Sequence, residues 1–363
     1  VWATTLGLRL DEYETFLFVS VASDRATQRV VWRRMKNTLT ILGVLGLAAC
    51  GDSVTVPAPE NVSQSALVAV TTFESAKPVL FTQAIDGRNK LRFHFTNIRD
   101  DIPGNYSGLS VGDANLLALG SPAWDPSGTG RVAVVATIAY DQSEIVVMRG
   151  DGTGEVASPN TQIIASAPRW SPDGKKLAYL MATLPGFKGI DLFVTDLATH
   201  TVKRLTTNAN LANTALGWSI DGQSVYYSKV TAQPTDTLDY VNDILKINVN
   251  TGVSEAVARR VVGQIASISR TGARVLLTRG FGLSRSLIER ELSGTESVIA
   301  SDATFATYSP TIENTVLIVT VAVVNGGVTQ TFQLMNLATK SRTTIPGIAG
   351  EANADVWMPY PLD

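Results

Sequence analysis

An all-β chain folded as a six-bladed β-propeller of four-stranded blades is predicted by three observations. From residue 66 onward, short runs rich in Val, Ile, Thr and aromatics alternate with Gly, Asn, Asp and Pro turns, and no long stretch carries helical periodicity. A turn headed by an aromatic or Ile recurs at Trp124, Trp170, Trp218, Ile268, Tyr308 and Trp357, at intervals of 46, 48, 50, 40 and 49 residues. Such periods, with room for four strands each, mark propeller blades. Only six residues follow Trp357, while the N-terminal blade lacks a Trp-bearing first strand. A C-terminal strand that completes the N-terminal blade closes the ring and leaves no long sheet edge open.

Taken in order, residues 1–34 fit no part of this pattern and are expected to be an upstream segment, non-native or unstructured. Met35-Lys36-Asn37 then opens a basic start ahead of the apolar run 39–49. That run is short for a membrane helix, which needs about 20 residues, and suits the hydrophobic region of a signal peptide spanning 35–49. It ends in Leu47-Ala48-Ala49-Cys50, which resembles the bacterial lipoprotein signal, where a cysteine behind small residues is acylated and becomes the mature N-terminus. The resemblance implies lipidation at Cys50, export, and membrane attachment through the lipid anchor alone. Gly51 stands where an Asp would favour the inner membrane, which implies the outer one. Residues 50–65, with Pro57, Pro59 and small polar residues, read as a flexible tether. The propeller domain is expected over 66–363.

The clearest repeat is the stretch 166–180, SAPRWSPDGKKLAYL. Ser171-Pro172-Asp173-Gly174 has type I turn chemistry, with Pro setting φ at the second position and Gly releasing the chain at the fourth. Apolar runs on both sides make it a hairpin. A third strand near 191–197 or 243–249 and a fourth near 201–205 complete a blade. For the N-terminal blade, residues 78–82, 91–98 and 106–111 are read as the second to fourth strands, and 66–72 has no assigned place.

The pattern Pro-x-Trp-Ser-Pro-Asp-Gly-Lys-x-Leu-Ala-Tyr at 168–179, followed by a Leu-Phe-Val-x-Asp-Leu strand at 192–197 and Arg-Leu-Thr at 204–206, resembles the propeller repeat of the TolB family. The resemblance covers about residues 78–361 and is strongest in that one blade. It implies a WD-repeat-like ring working in the cell envelope with a protein or peptide partner, a peptidoglycan-associated lipoprotein among the candidates. Related repeats occur in prolyl-oligopeptidase-type enzymes, so the motif specifies a fold better than a function.

Charge and chemistry narrow the classes. With 30 basic and 32 acidic residues and no Lys/Arg cluster after Arg34, the chain lacks the footprint of a nucleic-acid binder. One cysteine excludes an intrachain disulfide framework and a Cys-rich zinc site. His94 falls on the polar side of an alternating strand and His200 in a turn where the repeat has Gly, so neither reads as catalytic. There is no Gly-x-Ser-x-Gly elbow and no His-Glu-x-x-His helix. Asp151-Gly152-Thr153-Gly154-Glu155 reads as a turn, since it lacks the alternating acidic ligands of a calcium loop. No catalytic residue, metal or cofactor is assigned. The alternatives are a lyase or glycoside hydrolase built on dispersed Asp and Glu residues, or a carbohydrate-binding module using the Trp residues as a platform. Their fixed place at the end of each first strand favours packing between blades instead.

Function is expected in the loops between second and third strands, which leave a propeller on one face. Four successive blades carry an aromatic there: Tyr140, Phe187, Tyr240 and Phe281. Asp141, Lys188, Asp239 and Arg285 accompany them. Either these aromatics rim the channel mouth and bind, or each folds down over its own blade. The predicted protein is a monomeric, non-catalytic binding module.

Overall fold

Each Ser-x-x-Gly turn holds its hairpin by the same bonds. In the computed structural model, Gly174 N donates to Ser171 O at 2.9 Å, Gly222 N to Ser219 O at 2.9 Å and Gly272 N to Ser269 O at 2.8 Å. Ser171 Oγ donates to Asp173 Oδ1 at 2.6 Å and accepts from Lys176 N at 2.9 Å, tying the turn to the outgoing strand. Gly174 has φ of 68°, a region where a Cβ is costly.

The structure describes the strands within residues 4–45 and most of 67–357, apart from 76, 96, 100–115, 140–141, 160–162, 184–188, 208, 210, 212–214, 233–238, 282–283, 313, 325–326 and 349–352. The chain divides into two units, Val1–Asn61 and Val62–Asp363. The first unit contains Thr4–Leu10, Glu14–Val21, Gln28–Arg34 and Thr40–Leu45, paired antiparallel in that order. Cys50 and the tether lie outside the described residues.

The second unit is built from four-stranded antiparallel runs. The first comprises Ala118–Trp124, Val132–Ala139, Gln142–Met148 and Thr153–Val156; the second, Ile163–Trp170, Lys176–Thr183, Ile190–Asp196 and Thr201–Arg204. A single parallel pair, Ser143 with Ile164, joins these two into one sheet. The third is Leu216–Trp218, Ser224–Ala232, Val241–Asn248 and Ser254–Val262. The fourth is Gln264–Ile268, Arg274–Phe281, Ser284–Glu291 and Glu296–Ala300, and the fifth is Ala303–Tyr308, Thr315–Val324, Gly327–Asn336 and Arg342–Ile345. A last sheet combines both ends of the unit: Asn353–Trp357 pairs antiparallel with Leu67–Glu74, which is followed by Lys77–Ala84 and Leu91–Phe93. Among the described residues there is no helix.

The expected strand assignment of this last sheet is corrected by one place. Leu67–Glu74 is its second strand, Lys77–Ala84 the third and Leu91–Phe93 the fourth. Leu67–Glu74 is buried along most of its length, and Ser75, at φ of 50°, turns the chain directly into the next strand. Asn97–Arg99 belongs elsewhere, paired parallel with Thr153–Glu155 on the outer edge of the first run. Residues 106–111 lie outside the described residues.

Strand alternation explains the core. Successive side chains point to opposite faces, and here both faces meet a neighbouring sheet. Leu177, Tyr179 and Met181 pack on Ala133, Ile145 and Val147 of the first run, whereas Ala178 and Leu180 pack on Leu216, Trp218 and Val225 of the third. The third and fourth runs share Tyr226, Ile244, Ile268 and Val275, and the fourth and fifth share Leu276, Leu287, Ala306 and Val316. Val68, Val70 and Phe81 of the last sheet pack on Leu317 and Phe332 of the fifth run, and Ala69 and Leu80 on Trp124 and Val134 of the first.

Candidate binding site

Of the expected rim, Tyr140, Asp141, Phe187 and Lys188 lie outside the described residues, and Phe281 is described through its backbone alone. The remaining three come together where the third and fourth runs meet. Asp239 and Tyr240 are half-buried ahead of Val241–Asn248. Tyr240 O accepts from Gly263 N at 2.8 Å, and Asp239 Oδ1 accepts from Gly280 N at 3.3 Å. Gly280 is in register with Arg285 and Phe281 with Ser284, so residues chosen from two different loops converge on one hairpin end. Arg285 Nη1 reaches Gln264 Oε1 at 3.4 Å, and its Nε is buried without a hydrogen-bond partner among the described residues.

Because strands alternate in direction, the turns after the first strands lie on the opposite face. A cavity of about 70 Å³ opens there, lined by Trp124, Trp170, Trp218 and Tyr308 together with Arg169 and Arg270. Asp239, Tyr240 and Arg285 are not among its described lining. The Trp side chains are 3%, 6% and 5% exposed, which places their bulk in the packing between runs. Trp170 Nε1 donates to Ala123 O and Trp218 Nε1 to Arg169 O, each at 2.9 Å.

Sequence reasoning missed the ion pairs that fix these turns. Asp125 is fully buried and accepts from Ser127 Oγ at 2.7 Å, from Thr129 Oγ1, and from Arg131 Nε and Nη2 at 2.8 and 2.6 Å. The Arg131 guanidinium also donates to Gly174 O at 2.6 Å and lies 4.6 Å from the centre of the Trp170 ring. The spacing Asp125-x3-Thr129-x-Arg131 was available as a signal, but its target across the interface was not.

On the other face Asp191 is buried and accepts from Ala209 N at 2.9 Å, Arg204 Nη2 at 2.5 Å and Thr206 Oγ1 at 2.9 Å. Burial by itself would raise its pKa; these donors outweigh that and hold it below the ordinary value. Buried Glu155 pairs with Arg149 at 3.0 Å, and buried Glu144 accepts from Gln142 Nε2 at 2.9 Å. These buried acids are thus engaged in the fold. His94 is exposed, and His200 sits in a turn at φ of 53°, where the repeat has Gly. Asp151 accepts from Thr153 N and Oγ1, closing a turn.

The family model of the TolB β-propeller domain matches residues 106–361 of this chain. A Sulfurisphaera tokodaii protein described as a Tricorn-like protease N-terminal subunit is 32% identical over 122 residues, covering 33% of this chain and 57% of that protein, so the chain spans little more than half of that relative's length. Among solved structures, TolB from Acinetobacter baumannii superposes with a TM-score of 0.59 at 16% identity, over 91% of this chain and 79% of the other. A TolB-type protein from Agrobacterium tumefaciens gives 0.49 at 15%, over 83% and 100%.

Proposed function

Given that the chain belongs to the TolB β-propeller domain family, we propose that it is a non-catalytic module that binds a protein or peptide segment in the bacterial cell envelope. The observation that carries this reading is the convergence of Asp239, Tyr240 and Arg285 on the Gly280–Phe281 hairpin end. An aromatic flanked by charged groups of both signs is the anatomy of a binding patch: the ring buries apolar ligand surface and the charges fix orientation. Tyr140, Asp141, Phe187 and Lys188 extend the same rim in this proposal.

The scaffold we propose is a monomeric ring of six blades, with Asn353–Trp357 as the innermost strand of the blade that contains Leu67–Glu74. Attachment is through lipid at Cys50 after removal of a signal peptide at 35–49, with the outer membrane as destination and an envelope lipoprotein bound to peptidoglycan as a candidate partner. One acyl chain holds a protein only marginally, and about two signals make anchoring stable. Mass spectrometry of the mature N-terminus tests the anchor: acylated Cys50 supports it, and an unmodified terminus retaining residues 1–34 overturns it. In-cell crosslinking from a photoreactive residue at position 240 tests the module. Capture of one defined envelope protein supports the reading, and absence of any specific adduct counts against it.

A further inference from the structure

Phe305, on the first strand of the fifth run, is 43% exposed, whereas Ala303 and Ala306 on the same strand are buried. That strand is fastened to the first strand of the fourth run. Tyr308 N donates to Ser267 Oγ at 3.2 Å, and Thr307 Oγ1 lies 3.5 Å from the same oxygen. Each strand opens its run, so both start on the face where the loops after the second strands emerge. Three residues back from these contacts, Gln264 stands level with Phe305 or its neighbour Thr304. Gln264 Oε1 is the atom that Arg285 Nη1 reaches at 3.4 Å. The exposed ring and the guanidinium are thus brought to the same end of neighbouring runs.

The charge of Arg285 is open there. Arg279 and Arg290 of the same run both meet Glu296. Arg285 enters no ion pair among the described residues; its hydrogen bond goes to a neutral amide, and its Nε is buried without a partner. Asp239, from the third run, is held instead on Gly280 N through Oδ1.

Building on the binding-module reading, we infer that the rim patch extends to Phe305 and takes an extended polypeptide segment with a carboxylate side chain and, two residues away, an apolar one. The carboxylate meets Arg285 and the apolar side chain covers Phe305. In an extended segment residues two apart share a face, which lets one ligand serve neighbouring runs at once. A carboxylate accepts two parallel bonds from a guanidinium and supplies the partner that Nε lacks. A small anion would leave Phe305 in water. A wholly apolar segment would cover the guanidinium without pairing it, at a desolvation cost.

The test uses the full-length protein and the fluorescence anisotropy of peptides labelled at the N-terminus and amidated at the C-terminus. A Gly-Leu-Thr-Glu-Gly probe is expected to give a saturable rise. Its Glu→Gln and its Leu→Gly counterparts are each expected to bind about ten-fold more weakly, as loss of a charged hydrogen bond or of an anchor contact implies. Arg285→Gln should weaken the Glu probe about ten-fold and leave the Gln probe little changed; Phe305→Ala should do the same for the Leu probe against its Gly counterpart. No saturable rise with the Glu probe overturns the proposal, as does equal binding of the Glu and Gln probes. Equal loss of both probes in a folded Arg285→Gln protein overturns it too. If a variant does not fold, the probe comparison on the unaltered protein decides. Failure here with intact crosslinking from position 240 removes the acidic, apolar ligand alone, whereas loss of both removes the module.

Discussion

Trp218 Nε1 donates to the carbonyl oxygen of Arg169 at 2.9 Å, across the boundary between two four-strand runs. One run earlier, Trp170 makes the same bond to Ala123. In both cases the acceptor is the residue just before the preceding Trp, so each hairpin end is fastened to the equivalent point of its neighbour. The repeat thus records an inter-blade contact.

Trp170→Ala is expected to cost about 3 to 5 kcal/mol, as large aromatic truncations in cores do, and to lower the denaturant midpoint accordingly. Trp170→Phe keeps most of the ring and loses the donor to the Ala123 carbonyl, which stays in register with Ala133 in its own hairpin; a cost of about 0.5 to 1.5 kcal/mol is expected. A midpoint unchanged by Trp170→Ala would mean the side chain contributes nothing to packing and would reopen the platform reading.

Among the described glycines, close approach between runs is most severe at Gly272. Its φ is 65°, and a Cβ there would stand 2.1 Å from Tyr226 Cζ. Gly272→Ala is therefore expected to lose about 2 to 4 kcal/mol from overpacking and left-handed strain together. Tyr226→Ala opens the space, so the double variant should be destabilised by less than the sum of the two singles. Strict additivity in a double-mutant cycle would show that the two residues do not meet.

These examples mark how far the sequence could be read. Ser171, Asp173 and Gly174 act within one turn, so local chemistry identified it. That Asp239, Tyr240 and Arg285 stand on neighbouring loops is legible because the repeat predicts which loops share a face; that they bind is a proposal. Leu67–Glu74 had no assigned place because its first-strand partner is Asn353–Trp357, at the far end of the chain. The expectation of one strand over 91–98 fails for the same reason: nothing local announces that Asn97–Arg99 has a parallel partner at Thr153–Glu155. The cavity near Trp170 and Trp218 is not legible in the sequence because its lining comes from turn residues whose signal is dominated by packing.

Acid should weaken the fold partly through Asp191. Its folded-state pKa lies below the ordinary value of 3.8, so the unfolded chain takes up the proton first as pH falls. The stabilisation is present above that ordinary value and is lost as pH drops through the lower folded value. Melting temperature should fall steeply below about pH 4. Asp191→Asn should lower it at neutral pH and flatten that acid limb; an acid limb as steep as that of the unaltered protein would exclude this carboxylate as a contributor.

Pairing of Asn353–Trp357 with Leu67–Glu74 covers an otherwise open strand edge. Deleting residues 354–363 should expose that edge and produce aggregation by light scattering or loss of a single cooperative transition. A truncated protein that stays monomeric with full stability would defeat the closed-ring proposal.

The rim makes the sharpest functional prediction, because stability and binding should separate there. Tyr240 is tied down through its backbone, by Gly263 N, and its side chain is half-buried. Removing the ring leaves that bond intact. If the aromatic serves a partner, Tyr240→Ala should weaken capture by about 1 to 3 kcal/mol, the range of an anchor residue, while the unfolding midpoint stays within about 0.5 kcal/mol of the original. Arg285→Gln should act in the same direction, since the hydrogen bond its guanidinium makes among the described residues is a long one, 3.4 Å to Gln264. Quantified crosslinking from a neighbouring position, beside a denaturant titration of each variant, reads both quantities. Should both substitutions lower the midpoint and leave capture unchanged, Tyr240 and Arg285 belong to the scaffold, and the binding face must be sought elsewhere.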